Sequence, residues 1–559
     1  LPVDLVAMAY NFPAIMHRID SNLVALEACR MLNLNVRPDL ALEAFTKDSD
    51  NSGEHDAEQI SFQSGMGNNY ERLEFLGDCF LKMATTISIF TLIPDKAEFE
   101  YHVERMLLIC NRNLFNNALE VKLEEYIRSM AFDRRSWYPD GLTLKRGKRK
   151  DLTRQHVLAD KTIADVCEAL IGAAYLTSQE QTPPNFDLAI RAVTIMVKDK
   201  NHAMTSYPDY YAAYSPPAWQ TAPCNSTQLD MAARFEARMG YAFTHPRLLR
   251  SAFQHPTYPS VYEKLPSYQR LEFLGDALLD MASVEFLFHR FPGADPQWLT
   301  EHKMAMVSNQ FLGCLAVHLG FHRALTYCSS AIQKEITEYV AEMETALQAA
   351  RDEAVARGLP AEGFARDFWV RCSRPPKCLP DVVEAYVGAV FVDSRYDFER
   401  VRGFFADHVR PFFEDMRLYD AFANKHPVTF LAGLMQGRMR CAEWRLLVKD
   451  LPPTAAGGGG GTDNGAGGVM VDLDNPQVVC AVRVHGLTLA HAVAASGRYG
   501  KIAAAKKAIK VLEEMDVEEF RKAYGCACVL EEEPAAVAAA AEEGGLERGL
   551  EGGDHGSAI

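Results

Sequence analysis

The heptamer Arg-Leu-Glu-Phe-Leu-Gly-Asp occurs twice without a mismatch, at 72–78 and at 270–276. Repetition of that fidelity means one structural unit present in two copies. Each heptamer opens a longer pattern. Asp165-Val-Cys-Glu168-Ala-Leu-Ile-Gly172-Ala follows the first, and Asp381-Val-Val-Glu384-Ala-Tyr-Val-Gly388-Ala follows the second. The chain must fold into two versions of one four-carboxylate module, and the rest is arranged around them.

In a helix, Glu74 and Asp78 share a face at i,i+4, and Asp165 and Glu168 share one at i,i+3; Glu272/Asp276 and Asp381/Glu384 repeat the spacing. Two such helices laid together converge four carboxylates, which repel one another or protonate unless a cation joins them. Their neighbours are apolar (Leu73, Phe75 and Leu76; Ala164, Val166, Ala169 and Leu170), where an uncompensated charge is costly. An all-oxygen donor set suits Mg²⁺, with Mn²⁺ able to substitute. Two ions about 4 Å apart per site can activate water and stabilise the leaving oxygen of a phosphoryl displacement. The pattern therefore predicts phosphodiester hydrolysis with no nucleophilic side chain. Lys161 and Lys377, each four residues before the Asp, are candidates for aiming an ammonium at a phosphate. Asn111 and Asn309, each 33 residues after the heptamer Asp, are candidates for the site or for core hydrogen bonding.

A net charge of −16 opposes binding to phosphates until its distribution is considered. Residues 526–559 hold eight acidic residues against one Arg, and the two quartets hold eight more carboxylates. Arg134, Arg135, Lys145, Arg146, Lys148, Arg149, Lys150 and Arg154 form a basic stretch with Trp137 and Tyr138 among them. It reads as a phosphate-contacting loop, a solvated flexible loop being the plainer alternative. No uninterrupted apolar run reaches the roughly 18–20 residues that cross a bilayer. Thirteen cysteines contain no CxxC pair, and the closest sets, Cys372/Cys378 and Cys526/Cys528, show no matching His/Cys set for zinc. Reduced thiols in a cytoplasmic or nuclear protein are expected. A chain opening on Leu1 reads as a piece of something longer.

The length of 559 residues suggests several domains. Residues 1–200 read as a helical domain a, whose first helix presents Ile15, Ile19, Leu23 and Leu26 as an apolar stripe. Residues 201–226, rich in Pro and Tyr, read as a linker, and 227–415 as domain b. Glu74 and Asp165 are 91 residues apart, whereas Glu272 and Asp381 are 109 apart. A helical insert at about 330–372, with Ile332, Ile336, Tyr339, Val340, Met343 and Leu347 on one face, accounts for the difference. From 424 to 525 the pattern becomes helix, three strands, helix, with a Gly-rich insert at 455–468. Residues 526–559 read as a disordered acidic tail.

The octamer 71–78 together with Asp-x-x-Glu-Ala-x-x-Gly-Ala resembles the ribonuclease III signature. Tandem copies followed by a dsRNA-binding-like unit resemble the C-terminal half of the Dicer family, with Ile15-Met-His-Arg-Ile19 and Cys79-Phe-Leu-Lys-Met83 most similar to its fungal members. The resemblance implies a mainly helical fold. Its two endonuclease domains would pair as an intramolecular pseudo-dimer, with Phe75 and Phe273 at the interface, ahead of a small α-β-β-β-α domain. It implies that Glu74, Asp78, Asp165 and Glu168 form one metal site and Glu272, Asp276, Asp381 and Glu384 the other. Each site would cut one strand of double-stranded RNA, giving 5′-phosphates and short 3′ overhangs for RNA-mediated silencing, with silencing proteins as partners. Helicase and measuring modules would lie upstream.

Departures limit the last domain. Asn475-Pro-Gln-Val478 lacks the His of the family loop, and Ala503-Ala-Ala505 stands between Lys501 and Lys506 where another lysine is expected. Lys501, Lys506 and Lys507, with Lys145, Arg146, Lys148, Arg149 and Lys150, are the candidate RNA contacts. The basic run is expected to contribute more affinity than the C-terminal domain, which has either weak contact with RNA or a protein-interaction or purely structural role. The competing readings are a non-cleaving scaffold, which predicts erosion of a quartet, and a Drosha-like processor of structured transcripts.

Overall fold

The computed structural model describes residues 2–47, 68–94, 96, 98–129, 132, 158–420, 427–450, 478–494, 497–513 and 515–528. Contacts divide the chain into two compact units, Leu1–Ala423 and Asn424–Ile559.

In the first copy, α1 (Val3–Met31) leads to α2 (Glu71–Leu92), α3 (Glu98–Ile109) and α4 (Asp160–Gln179). The second repeats α2 and α3 as α5 (Gln269–Arg290) and α6 (Pro296–Met306), inserts α7 (Ser330–Ala356), and repeats α4 as α8 (Cys378–Asp393). Apart from Lys82, every residue of α2 from Cys79 to Thr91 is buried, so this helix is apolar all round and runs through the core. By length and composition it would pass for a membrane span, yet 78% of that stretch is buried inside the protein. Gly77 and Gly172 let α2 and α4 touch backbone to backbone. A Cβ on Gly77 would overlap the carbonyl of Glu168, and one on Gly172 that of Leu73. Gly275 and Gly388 do the same for α5 and α8, against Glu384 and Leu271.

Three expectations need correction. The α1 stripe does not face the core: Ile15, Ile19 and Leu23 are exposed, and Ser21, Ala25, Ala28 and Cys29 are the buried residues. Small side chains set the close contact here, a signal that periodicity of large residues does not carry. Residues 201–226 are not a bare linker. A capping box of Ser206 and Asp209 starts the helix Tyr207–Ala213, and a second short helix spans Ala218–Thr221. Tyr210, Tyr214 and Gln220 are buried. Tyr207 donates to the Tyr396 carbonyl of the second copy at 2.7 Å, while Tyr214 stacks on Phe90 of the first. Tyrosines bury large ring area and still satisfy a hydroxyl, which turns a Pro/Tyr-rich segment into a packed strap. The third lies among the cysteines: Cys441, Cys526 and Cys528 gather with His485 in the second unit. In the extra helix α7, Ile336, Tyr339 and Met343 of the expected stripe are buried.

The second unit opens with the helix Pro427–Gly433 and carries an antiparallel sheet in the order β1 (Trp444–Asp450), β2 (Val478–Val484), β3 (Leu487–Ala494). Val478, Cys480, Val482 and Val484 alternate inward on β2. Two helices follow, α9 (Gly497–Glu513), with Ala504, Ala505, Ala508 and Leu512 buried, and α10 (Val517–Tyr524). Sequence reading missed α10, although Asp516 caps it and Glu519 sits three residues on.

Candidate active site

The glycine contacts bring the carboxylate faces of α2 and α4 together. Ligand atoms of Glu74, Asp165 and Glu168 lie within 4.8 Å of one another, as do those of Glu272, Asp381 and Glu384. Asp78 and Asp276 stand one turn further along. Each is near enough to Glu168 or Glu384 to push that carboxyl up. Asp78 keeps solvent contact although protein surrounds it on most sides, and its carboxyl is raised by burial.

The electrostatics follow from crowding acids in a poorly solvated place. Burial, then repulsion from Asp165, pushes Glu74 up to about 7. Burial, then Asp381, pushes Glu272 up to about 8, and burial takes Asp381 to about 6. Glu168 and Glu384 rise well above the ordinary carboxylate range for the same reasons. Lys161 partly offsets this in the first copy, 2.6 Å from Asp165 and 3.3 Å from Glu74. Lys377 sits further off, 3.6 Å from Asp381 and 3.8 Å from Glu272. Both lysines thus stand inside their own clusters as cations among acids. Glu272 Oε2 is buried with no hydrogen-bond partner. An all-oxygen set, raised carboxyls and an orphaned buried oxygen fit a hard divalent cation.

Two tyrosines went unnoticed in the sequence. Tyr70 donates to Asp165 Oδ2 at 3.5 Å, on the oxygen that Lys161 leaves free, and Tyr268 donates to Asp381 Oδ2 at 3.0 Å, the oxygen that Lys377 also approaches. The signal was present, since a Tyr precedes each heptamer by the same distance. Asn111 and Asn309 occupy the first position of equivalent helices, Asn111–Glu120 and Asn309–His318, with exposed side chains. Phe273 stacks on Tyr101 of the other copy at 5.3 Å, and Phe75 lies under Lys303 of the other copy at 5.8 Å. Lys501, Lys506 and Lys507 are exposed on α9, with Lys507 donating to the His491 carbonyl at 3.2 Å. Lys145, Arg146, Lys148, Arg149 and Lys150 lie outside the described residues.

A second donor set overturns the expectation that no zinc ligands match. Cys441, His485, Cys526 and Cys528 gather within 4.8 Å of one another. The β2–β3 turn puts His485 and Gly486 at positive φ, a two-residue hairpin turn that presents the imidazole. Glu443 lies 3.0 Å from His485 Nδ1, which leaves Nε2 facing the Sγ atoms of Cys528 at 3.4 Å and Cys441 at 3.5 Å. Those spacings match the edge, about 3.5 Å, of a tetrahedron built on Zn–S of about 2.3 Å and Zn–N of about 2.0 Å. Backbone N–H groups of Ala442 and Glu443 lower the Cys528 thiol to about 7. The ligands come from three separate stretches of the chain, and the adjacent pair Cys526/Cys528 lies where composition suggested only tail.

Comparison with known proteins agrees with this geometry. The ribonuclease III domain model matches residues 71–179 and again 269–395, and a dsRNA binding domain model matches 419–514. Dicer-like protein 1 of Chaetomium globosum is 86% identical over the whole chain, and that of Neurospora crassa is 66% identical over 94% of it. The chain spans about a third of their length, 35% and 34%. The Giardia intestinalis Dicer structure aligns at 14% identity over 61% of this chain and 54% of that one, with a TM-score of 0.34, too weak a superposition to carry an argument. Ribonuclease III domains in tandem, a dsRNA binding domain behind them and this depth of identity place the chain in the Dicer family, most similar to its fungal members.

Proposed function

We propose that the chain hydrolyses double-stranded RNA, one strand at each carboxylate cluster. The observation that carries this reading is the completeness of both clusters. Glu74, Asp78, Asp165 and Glu168 would hold Mg²⁺ in one copy, and Glu272, Asp276, Asp381 and Glu384 in the other. Bound ions, two per site during reaction, would supply Lewis-acid stabilisation and an activated water. The protein orients the acids: Tyr70 and Lys161 hold the two different oxygens of Asp165, whereas Tyr268 and Lys377 both lie against Oδ2 of Asp381. Lys161 and Lys377, 64% and 73% exposed, are also free to shift toward a phosphate as a metal takes their place. The products would be short duplexes with 5′-phosphates and 3′ overhangs that feed RNA-mediated silencing in the cytoplasm or nucleus, handed to silencing proteins. Incubation with long duplex RNA and Mg²⁺, followed by sizing of the products, tests this. Cutting that stops with EDTA and returns with Mn²⁺ is expected. Binding without cutting in Mg²⁺ would establish the scaffold reading instead.

Cys441, His485, Cys526 and Cys528 we read as a structural zinc site that pins the chain after α10 to the β2–β3 turn. Full-length protein should carry one zinc per chain by elemental analysis, and strong chelation should melt the three-stranded sheet, because structural zinc contributes folding energy outright. Zinc-free protein with an intact sheet would refute the assignment.

A further inference from the structure

The two ribonuclease III copies meet through contacts that come in matched pairs. Arg72 lies over the Phe288 ring at 4.8 Å, and Arg270 over the Phe90 ring at 4.1 Å. Arg105 lies over Phe273 at 4.5 Å, and Lys303 over Phe75 at 5.8 Å. The residues in each couple hold the same place in their copies, so the interface has a local two-fold axis. Such contacts do not discriminate. Two first copies would satisfy them as well as a first and a second.

One position breaks the symmetry. Four residues after the heptamer Asp, the first copy has Lys82 and the second Asp280. This position meets its own equivalent across the axis, where α2 faces α5. Lys82 Nζ lies 3.0 Å from Asp280 Oδ2 and 3.0 Å from Asp276 Oδ2. Lys303 Nζ lies 3.2 Å from Asp280 Oδ1. Asp280 is buried, and Lys82 is the one residue of its helix stretch that breaks an otherwise buried run. If two first copies paired, Lys82 would meet a second Lys82 with Arg105 from both sides nearby. Two second copies would set Asp280 against Asp280, each still held by its own Lys303.

We propose that the Lys82–Asp280 pair selects the partner: it lets the first copy close on the second and turns it away from the first copy of another chain. A buried ion pair often adds little stability over an apolar pair of similar size, whereas fixing which surfaces may meet is its best-attested use. Opposite charges at a self-facing position do that with one pair of substitutions between the copies.

The test uses the whole chain without Mg²⁺ or RNA, its zinc retained, read by thermal unfolding and sedimentation velocity, so its outcome is independent of whether the chain cuts RNA. Lys82→Asp should lower the unfolding midpoint of the first unit by about 5 °C and shift mass toward chain dimers. The new carboxylate is refused by Asp280 yet accepted by Arg105 in a pairing of two first copies. Lys82→Met, which removes charge without creating repulsion, should cost less and leave the mass unchanged. The exchange Lys82→Asp with Asp280→Lys should restore both readings. Under the two-fold axis, Arg105 then stands where Lys303 did and Asp78 where Asp276 did. An exchange no better than the worse single change, a harmless Lys82→Asp, or equal damage from Lys82→Met would each overturn the proposal.

Discussion

The two clusters share their defining residues and differ in what surrounds them. In the first, a lysine of the same copy sits at 2.6 Å from Asp165 and holds the acids close. In the second, Lys377 stands off at 3.6 Å, and Asp276 instead receives Lys82 at 3.0 Å and Arg105 at 4.0 Å from the other copy. Burial first and then repulsion from Asp381, with Glu98 and Asp276 adding to it against a more distant lysine, pushes Glu272 to about 8 where Glu74 reaches about 7. One heptamer thus yields two electrostatic environments, because the ionisation of an acid is set by its neighbours across space.

The largest effect that can break this comparison is loss of cutting. Asp165→Ala or Asp381→Ala alone should leave one strand cut and give nicked duplex, whereas the double change should abolish cleavage. Denaturing against native electrophoresis separates these outcomes. If Asp165→Ala alone stopped both cuts, the two clusters would have to be one functional site.

Next in size is the packing under each cluster. Gly77→Ala and Gly275→Ala place a methyl on the carbonyls of Glu168 and Glu384. Each should cost about 3 kcal/mol of stability by overpacking and weaken metal binding only in its own cluster. Denaturant unfolding and Mg²⁺ calorimetry measure both. An alanine tolerated at one site alone would mean that the two helix crossings differ more than the structure shows.

A subtler prediction sharpens the electrostatic contrast. Carboxyls raised in the folded state favour that state while protonated. The contribution is full below the ordinary Glu value of 4.5 and is lost as pH rises through about 7 at Glu74 and about 8 at Glu272. Metal-free protein should therefore lose stability across that window, and Mg²⁺ should restore it at the upper end. Mg²⁺ binding must displace those protons. Its midpoint in pH should lie higher when only the second cluster remains (Asp165→Ala) than when only the first does (Asp381→Ala). Coincident pH profiles would remove the distinction drawn here.

Much of the carboxylate arrangement was legible in the chain because helix periodicity is a local rule: once two carboxylates fall at i,i+4 and two more at i,i+3, their faces follow. The repeat even carried Tyr70 and Tyr268, which needed only a wider window to be seen. What remained hidden depends on contacts between distant segments. Cys441, His485, Cys526 and Cys528 converge through a hairpin turn and the segment that follows α10, and no spacing rule joins these stretches. The strap Tyr207–Ala213 looked like linker because Pro and Tyr read as punctuation until something packs against the rings. In α1, alanines and a serine made the contact, while the large apolar residues that drew notice stayed outside.

That strap has a kinetic consequence. Pinned to Tyr396 of one copy and Phe90 of the other, it presents each copy to its counterpart at a local concentration far above any reached by free domains in a cell. An enzyme assembled from two separate chains loses its second cluster on dilution, since half-molecules must first find each other. Here the ratio of double-strand breaks to nicks should be the same at picomolar as at micromolar protein, and scarcity of the protein should lower the number of cuts without changing their kind.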